Sequence, residues 1–348
     1  MSEPVMSLTA KPQTNSPRVT VKDIAREMGV SIATVSRAFS NDSTIAEKTR
    51  EKVLQQAAHM GYSPNLFARG LITQRSRIAA LLTSNITNPF YPEVVMKLTR
   101  RLHEFGLHTM LFTSDAETDI DDGLKILQQY NPDIVIVLAA TMSSETVKTC
   151  VAGRTPVILF NRYVTGSHAS AVNGGRVVAM RLAEANHRRL AYISGYDDAS
   201  TNVDRMRGFQ QGCRDAGLDA PRIITGGDFS YETGYRGMKQ LFKGPDTPDA
   251  VFCANDLLAI GAMDAAHREL GLTVPQDVSV IGFDDIAMAS WPSHNLTTVR
   301  QPVNAMIELL IAEIERLLPG VDTTPKEQFV PGRLIIRGSA RLEERPDK

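Results

Sequence analysis

The chain is poor in the features that mark secreted, membrane-spanning or metal-dependent proteins. Its 348 residues include only three cysteines, Cys150, Cys213 and Cys253, with no Cys-x-x-Cys spacing. An odd, scattered set of this kind excludes a disulfide framework and suggests small buried hydrophobes in a reducing compartment. No apolar run approaches the ~20 residues that a membrane helix needs. The opening MSEPVMSLTAKPQTNSPR lacks the apolar stretch of a secretory signal. A cytoplasmic chain with no membrane partner is expected. Catalytic signatures are missing too: there is no Gly-x-Ser-x-Gly, no Gly-x-Gly-x-x-Gly and no phosphate-cradling Gly-rich loop ending in Lys-Ser or Lys-Thr. His103 and His108 stand five apart, so on a helix they diverge and do not share a metal. Asp119-Ile-Asp121-Asp122-Gly123 lacks the glycine position and closing glutamate of a calcium loop. No metal, no cofactor and no enzymatic centre are expected.

The content is that of an ordinary soluble protein, 43% hydrophobic and 22% charged, long enough for two or three domains. The net charge of −1 conceals an asymmetry. Residues 1–77 carry 11 Lys and Arg against 6 Asp and Glu, and the remaining 271 residues carry 27 against 33. A basic head on an acidic body points to a polyanion met by the head alone.

The head reads as short helices after a disordered leader over residues 1–18. Thr20-x-x-Asp23 forms a capping box, Ile24, Ala25 and Met28 share a face, and Gly29 ends the helix. Ser31 is an N-cap for a second helix with Val35, Ala38 and Phe39 inward. A third covers about residues 47–60, with Val53, Leu54, Ala57 and Met60 inward. Two short helices about a glycine-containing turn make a helix-turn-helix. The outward positions of the second helix, Ser31, Ile32, Thr34, Ser36 and Arg37, include no carboxylate, which suits phosphates and base edges better than a merely solvated face. The segment from Tyr62 to Leu71 then predicts a short helix, Pro64 in its first turn, too short for stability alone.

From Arg77 the pattern changes. Apolar runs at 78–84, 108–114, 133–140, 156–161, 189–195, 249–255 and 278–285 alternate with helical stretches, as in parallel sheets covered on both faces. The later half repeats the plan of the earlier, which predicts two α/β lobes. Ligands of such sheets bind at the carboxyl ends of the strands, where Asn161-Arg162, Asn255-Asp256 and Asp284-Asp285 fall.

VTVKDIAREMGVSIATVSRAFS followed by EKTREKVLQQAAHMGYSPNLFARGL resembles, nearly end to end, the head and hinge of the lactose-repressor (LacI/GalR-type) family of bacterial transcriptional regulators. The resemblance continues to about residue 342, with ANDLLAIGAM and VSVIGFDD similar to the family's effector-domain motifs. It departs at Ser40, where the family usually has Asn, at Ala46, where it usually has a capping Ser, and at Val172-Asn-Gly-Gly175, where Asp-Asn is usual near the lobe crossing. The implied fold is α/β: a three-helix helix-turn-helix head over 19–62, a hinge helix and linker over 63–76, and a two-lobe periplasmic-binding-protein-type body of parallel sheets over 77–348. Lobe 1 is expected at about 77–161 and 292–325, lobe 2 at about 162–291 and 326–348.

The function implied is a sequence-specific repressor of a catabolic operon, a homodimer on a near-palindromic double-stranded operator and responsive to a small effector, with carbohydrate or sugar acid favoured. The competing class is a cytoplasmic sugar-binding or sugar-modifying enzyme of similar architecture. The DNA-binding set expected is Thr20, Val21, Ser31, Ile32, Ala33, Thr34, Ser36, Arg37, Tyr62, Asn65, Ala68 and Leu71. Arg37 is the guanine reader, Ile32 and Ala33 suit thymine methyls, and Leu71 is a minor-groove wedge on a hinge that folds on the operator. The effector set carried over by resemblance is Phe90, Arg162, Arg205, Phe229, Asn255 and Asp284. Two aromatic faces, a bidentate donor and a carboxylate acceptor suit a sugar or a base.

Overall fold

The computed structural model describes residues 19–39, 45–63, 75–83, 86–113, 126–127, 129–138, 155–161, 168–318, 324 and 326–343. The chain divides into two compact units, 1–76 and 77–348.

In the first unit, α1 (Val21–Met28), α2 (Ile32–Ala38) and α3 (Glu47–His59) pack as three short helices. The capping box at the start of α1 is present: the Thr20 N–H donates to Asp23 Oδ2 at 2.9 Å. Gly29 ends that helix at φ 64°, a left-handed conformation glycine adopts without a Cβ penalty. The Ser31 hydroxyl caps α2 by accepting the Thr34 N–H at 3.0 Å. Ala46 stands before α3 with no side-chain cap. Ile24, Val35, Ala38, Val53 and Ala57 form the buried centre. Leu54, expected inward, is 37% exposed; Val53 and Ala57 occupy the facing positions one turn apart, and Leu54 falls to the flank. The expected hinge over Pro64–Leu71 lies outside the described residues.

Among its described residues the second unit holds two six-stranded sheets. The first is built from β1 (Ile78–Thr83), β2 (His108–Thr113), β3 (Ile134–Val137), β4 (Val157–Phe160), β5 (His168–Asn173) and β11 (Glu327–Pro331), in the order β11-β5-β4-β3-β1-β2. The second joins β6 (Leu190–Ile193), β7 (Arg222–Ile224), β8 (Ala250–Cys253), β9 (Ser279–Asp284), β10 (Thr297–Arg300) and β12 (Arg333–Ile335), in the order β12-β10-β9-β8-β6-β7. Every pairing is parallel except that of β10 with β12. The interior strands β1, β3, β4, β6, β8 and β9 are buried along their whole length, as continuous apolar runs covered on both faces require. Helix α4 (Phe90–Glu104) and α9 (Val303–Leu317) cover the first sheet, while α5 (Gly175–Glu184), α6 (Ser200–Asp215), α7 (Tyr231–Leu241) and α8 (Asp256–Arg268) cover the second.

The lobe crossings fall later than the sequence pattern suggests. Strand β5 belongs to the first sheet, β10 to the second, and β11 to the first, with β12 following in the second. The chain thus changes lobe after 173, after 300 and at 332, where 162, 292 and 326 were expected. The β5 sequence HASAVN, the three-residue β7 and the short β10 to β12 segments lack the continuous apolar run that marks the other strands, and pairing with a neighbour alone assigns them to a sheet.

Candidate functional site

The cleft lies where the strand ends of both sheets converge. Asn88 and Tyr91 enter from the start of α4, Asn161 follows β4, Thr201 and Arg205 lie on α6, Phe229 precedes α7, Asn255 follows β8, and Asp284 ends β9; together they line a narrow cavity of about 10 Å³.

Arg205 is the central cation. It is buried, and its Nη1 donates to the Ala254 carbonyl at 2.6 Å. Its Nη2 stands 3.6 Å from Asp284 Oδ1, and its guanidinium carbon lies 3.6 Å from the centroid of the Phe283 ring. Stacking and a carbonyl bond hold the plane of the fork without spending all its donors. Asp284 accepts from Gln301 Nε2 at 2.6 Å. Burial pushes its carboxyl up to about 6, opposed by the Arg205 charge and by hydrogen bonds from Gln301 and Asn88.

The turn that carries Asp284 has a backbone few non-glycine residues adopt: φ is 119° at Asp284 and 60° at Asp285. Neighbouring side chains hold it. Asp285 pairs with Arg300 at 2.5 Å and with Arg337 at 2.6 Å. Behind it, fully buried Asp256 accepts the Ile286 N–H at 2.8 Å and the Thr298 hydroxyl at 2.5 Å. Burial and the nearby Asp284 charge raise the Asp256 carboxyl well above its usual range.

Phe229 is buried edge-on against Tyr196, with centroids 5.7 Å apart. Gly195 makes room for it: a Cβ at 195 would sit 2.4 Å from the ring. Asn255 is tied to the fold at both ends of its amide, for its Oδ1 caps α8 on the Leu258 N–H at 2.9 Å and its Nδ2 donates to the Phe229 carbonyl at 3.1 Å. It therefore positions Phe229 as well as lining the cavity.

Of the expected effector residues, Arg205, Phe229, Asn255 and Asp284 line this cavity together. Phe90 does not: it is 3% exposed, packed against Tyr91 in the core. Its neighbour Tyr91 takes the lining position, since adjacent residues on a helix face directions about 100° apart. Arg162 lies outside the described residues. Asn88, Tyr91, Asn161, Thr201 and the supporting Gln301 went unassigned in the sequence. Asn161 was visible as a strand-end residue and Tyr91 sits in the Asn-Pro-Phe-Tyr run; nothing in the sequence marks Gln301.

On the first unit, the α2 face holds exposed Ser31, Ile32, Ala33, Ser36 and Arg37, with Thr34 half-buried. The Ser31 and Thr34 hydroxyls are 2.8 Å apart and bonded to each other. Ile32, half exposed, is an apolar tip on that face. Thr20 is exposed and Val21 half-buried at the start of α1. The Tyr62 ring packs on Phe39, centroids 5.4 Å apart, and burial raises its phenol. Asn65, Ala68 and Leu71 lie outside the described residues.

Comparison with known proteins decides the family. Residues 20–65 match the profile for bacterial regulatory proteins of the lacI family, and residues 179–340 match that for a periplasmic binding protein-like domain. The ribose operon repressor of Escherichia coli (strain K12) is 32% identical over 333 residues, covering 92% of this chain and 99% of that protein. The chain belongs to the LacI family of bacterial regulatory proteins. The transcriptional regulator CelR of Thermobifida fusca is 30% identical, covering 94% of this chain and 98% of its own. Among solved structures, a Lac repressor dimer bound to operator and the anti-inducer ONPF superposes with a TM-score of 0.84 at 24% identity, covering 94% of this chain and all of that one. A CelR–cellobiose complex gives 0.69 at 28% identity, over 93% of this chain and all of its own. This LacI-family chain is a DNA-binding transcriptional regulator and not an enzyme. No helix among its described residues is long and apolar enough to cross a membrane.

Proposed function

We propose that this regulator represses a catabolic operon from the cytoplasm, binding a near-palindromic operator as a homodimer. A small ligand, a sugar or sugar acid, enters the cleft between the lobes and changes operator affinity. The observation that carries the reading is the convergence of Arg205, Asp284, Asn161, Tyr91 and Phe229 on one narrow, partly open cavity. A salt-bridged Arg–Asp pair beside an aromatic face orients a polyhydroxylated ring better than it serves a packed core, where an ion pair gains little over apolar residues. Related proteins named for ribose or solved with cellobiose are consistent with it.

In this reading residues 1–18 are a leader, 19–62 the head, 63–76 the hinge and 77–348 the effector body. Arg37 reads guanine from the start of α2 in the major groove. Thr20, Ser31, Thr34, Ser36 and the backbone near Val21 position the head on phosphates. Tyr62, Asn65 and Ala68 contact the DNA near the hinge, and Leu71 wedges into the minor groove. The test is a thermal-shift screen of sugars, sugar acids and purines on the full chain, followed by operator titration with each hit. A hit that alters operator affinity supports the reading; turnover of a sugar, or hits that leave operator binding unmoved, would count against it.

A further inference from the structure

Asp284 and Asp285 are neighbours in sequence, yet their carboxylates serve different places. Asp284 lines the cavity beside Arg205. Asp285 is not among the described lining residues; its side chain is buried against Arg300 and Arg337 instead. Both partners stand where the chain changes lobe. Arg300 is the last residue of β10, which the second crossing follows, and Arg337 lies two residues beyond β12, the strand that opens straight after the third. The first crossing comes to the same place. The backbone of Gly174, one residue past β5, presses so closely that a Cβ there would come within 2.9 Å of Val299 and 3.1 Å of Phe283. Strand register explains the meeting, for Arg300 lies opposite Asp284 on β9 and opposite Arg333 on β12. All three crossings therefore abut the second sheet at the level where β9 delivers Asp284 to the cleft.

The turn is also stiff. Asp284 and Asp285 both have positive φ, and Asp256 clamps the backbone behind them through the Ile286 N–H and the Thr298 hydroxyl. Left-handed backbone at non-glycine residues persists only where the surroundings over-determine it, and such residues gather at switch regions. With few conformations open to the turn, a displacement of one carboxylate is passed to the other. Asp284 itself holds the second crossing, accepting from Gln301 Nε2 at 2.6 Å. A group that bonds to Asp284 from the cavity competes with Gln301 for it and shifts the turn, and Asp285 draws its two arginines along.

We propose that Asp285 carries occupancy of the effector cavity to the lobe crossings, as a positioning residue that touches no effector and acts through Arg300 and Arg337. The role rests on the reading of the cavity as the effector site. A residue of this kind is silent in effector binding and decisive in the response to it, because coupling between two sites is a free energy separate from the affinity of either.

The experiment uses the full-length protein, an operator selected from random duplexes, and D-glucose, D-xylose, D-gluconate, D-glucuronate and adenine as probes. The variants are Asp285→Asn, Arg300→Gln and the two combined. The Arg300 side chain is 53% exposed, so its replacement leaves the packed core intact. Calorimetry reads the affinity for each probe that binds, and operator titration reads the response to it. In both single variants probe affinity should stay within about 3-fold of wild type, while the probe-induced change in operator affinity shrinks by at least ~10-fold. The combined variant should lose no more response than either single one, since the two residues act through one contact. Linkage is reciprocal, so operator alone should alter amide exchange over residues 283–286 in wild type and do so less in Arg300→Gln. Variants that respond as wild type does, variants whose probe affinity falls in step with their response, or a wild-type turn whose exchange ignores operator would each overturn the role of Asp285 and leave the effector site standing. Wild type that binds none of the probes would overturn the effector-site reading, and the role of Asp285 with it.

Discussion

Arg205 and Asp284 stand 3.6 Å apart, both almost wholly buried, in a contact too long for a full hydrogen bond. Each is instead anchored by a third group, Arg205 by the Ala254 carbonyl and Asp284 by Gln301. The pair is thereby held in place yet retains capacity for a ligand.

The pH dependence of stability should show this. Burial raises Asp284 to about 6 from the usual 3.8, with Arg205 opposing. The folded protein therefore keeps a proton that the unfolded chain has already lost, so the contribution of Asp284 to stability falls as pH rises from about 4 through 6. A shift of this size corresponds to on the order of 3 kcal/mol. Denaturant melts of wild type and Asp284→Asn at pH 4 and pH 7 should differ by a comparable amount, the variant gaining relative to wild type at pH 7. A difference that is flat with pH would refute the assignment.

Breaking the pair from the other side should be costly. Arg205→Ala leaves a buried carboxylate without its countercharge, a loss of about 3–5 kcal/mol at neutral pH, together with loss of ligand response. Urea unfolding reads the first and operator titration with ligand reads the second. A stable variant with normal response would show that Arg205 is dispensable.

Gly195→Ala tests the aromatic wall. The new methyl would sit 2.4 Å from the Phe229 ring, which Tyr196 packs from one side. Overpacking of this kind destabilises by about 1–3 kcal/mol, and displacement of the ring should weaken ligand binding. Wild-type melting temperature with wild-type ligand affinity would mean that the ring moves freely.

At the head, Arg37→Ala should lose about 1–3 kcal/mol of specific operator affinity and relax preference at one base pair per half-site. Equal weakening on operator and random DNA would reassign Arg37 to a phosphate.

Ala46→Ser supplies the cap that α3 lacks. Ala46 has φ −58° and ψ 135° and no side-chain bond to the helix, a backbone ready for a hydroxyl acceptor. The variant should stabilise the head by about 0.5–1 kcal/mol. Slower amide exchange at Lys48 and Thr49 is the direct readout, and unchanged exchange would mean that no cap forms.

Local patterns determined much of this protein by themselves. The capping box at Thr20 and Asp23, the Ser31 cap and the glycine at 29 are interactions within a few residues, so spacing alone reveals them. Seven continuous apolar runs announce parallel strands for the same reason, six of them buried along their length and β2 at an edge, and Asn161, Asn255 and Asp284 follow from the rule that such strands bind ligand at their carboxyl ends. Tertiary structure decided what depends on partners far along the chain. HASAVN became a strand of the first sheet only by pairing with β4 and β11. Tyr91 displaced Phe90 from the cavity because the orientation of α4 on its sheet, which no local spacing encodes, determines which neighbour faces the cleft. Gln301 gained its role from Asp284, 17 residues away in sequence and 2.6 Å away in space, and Arg205 from Ala254, 49 residues on. A hydrogen bond between distant segments leaves no periodicity to read, and the cavity exists only once those segments meet.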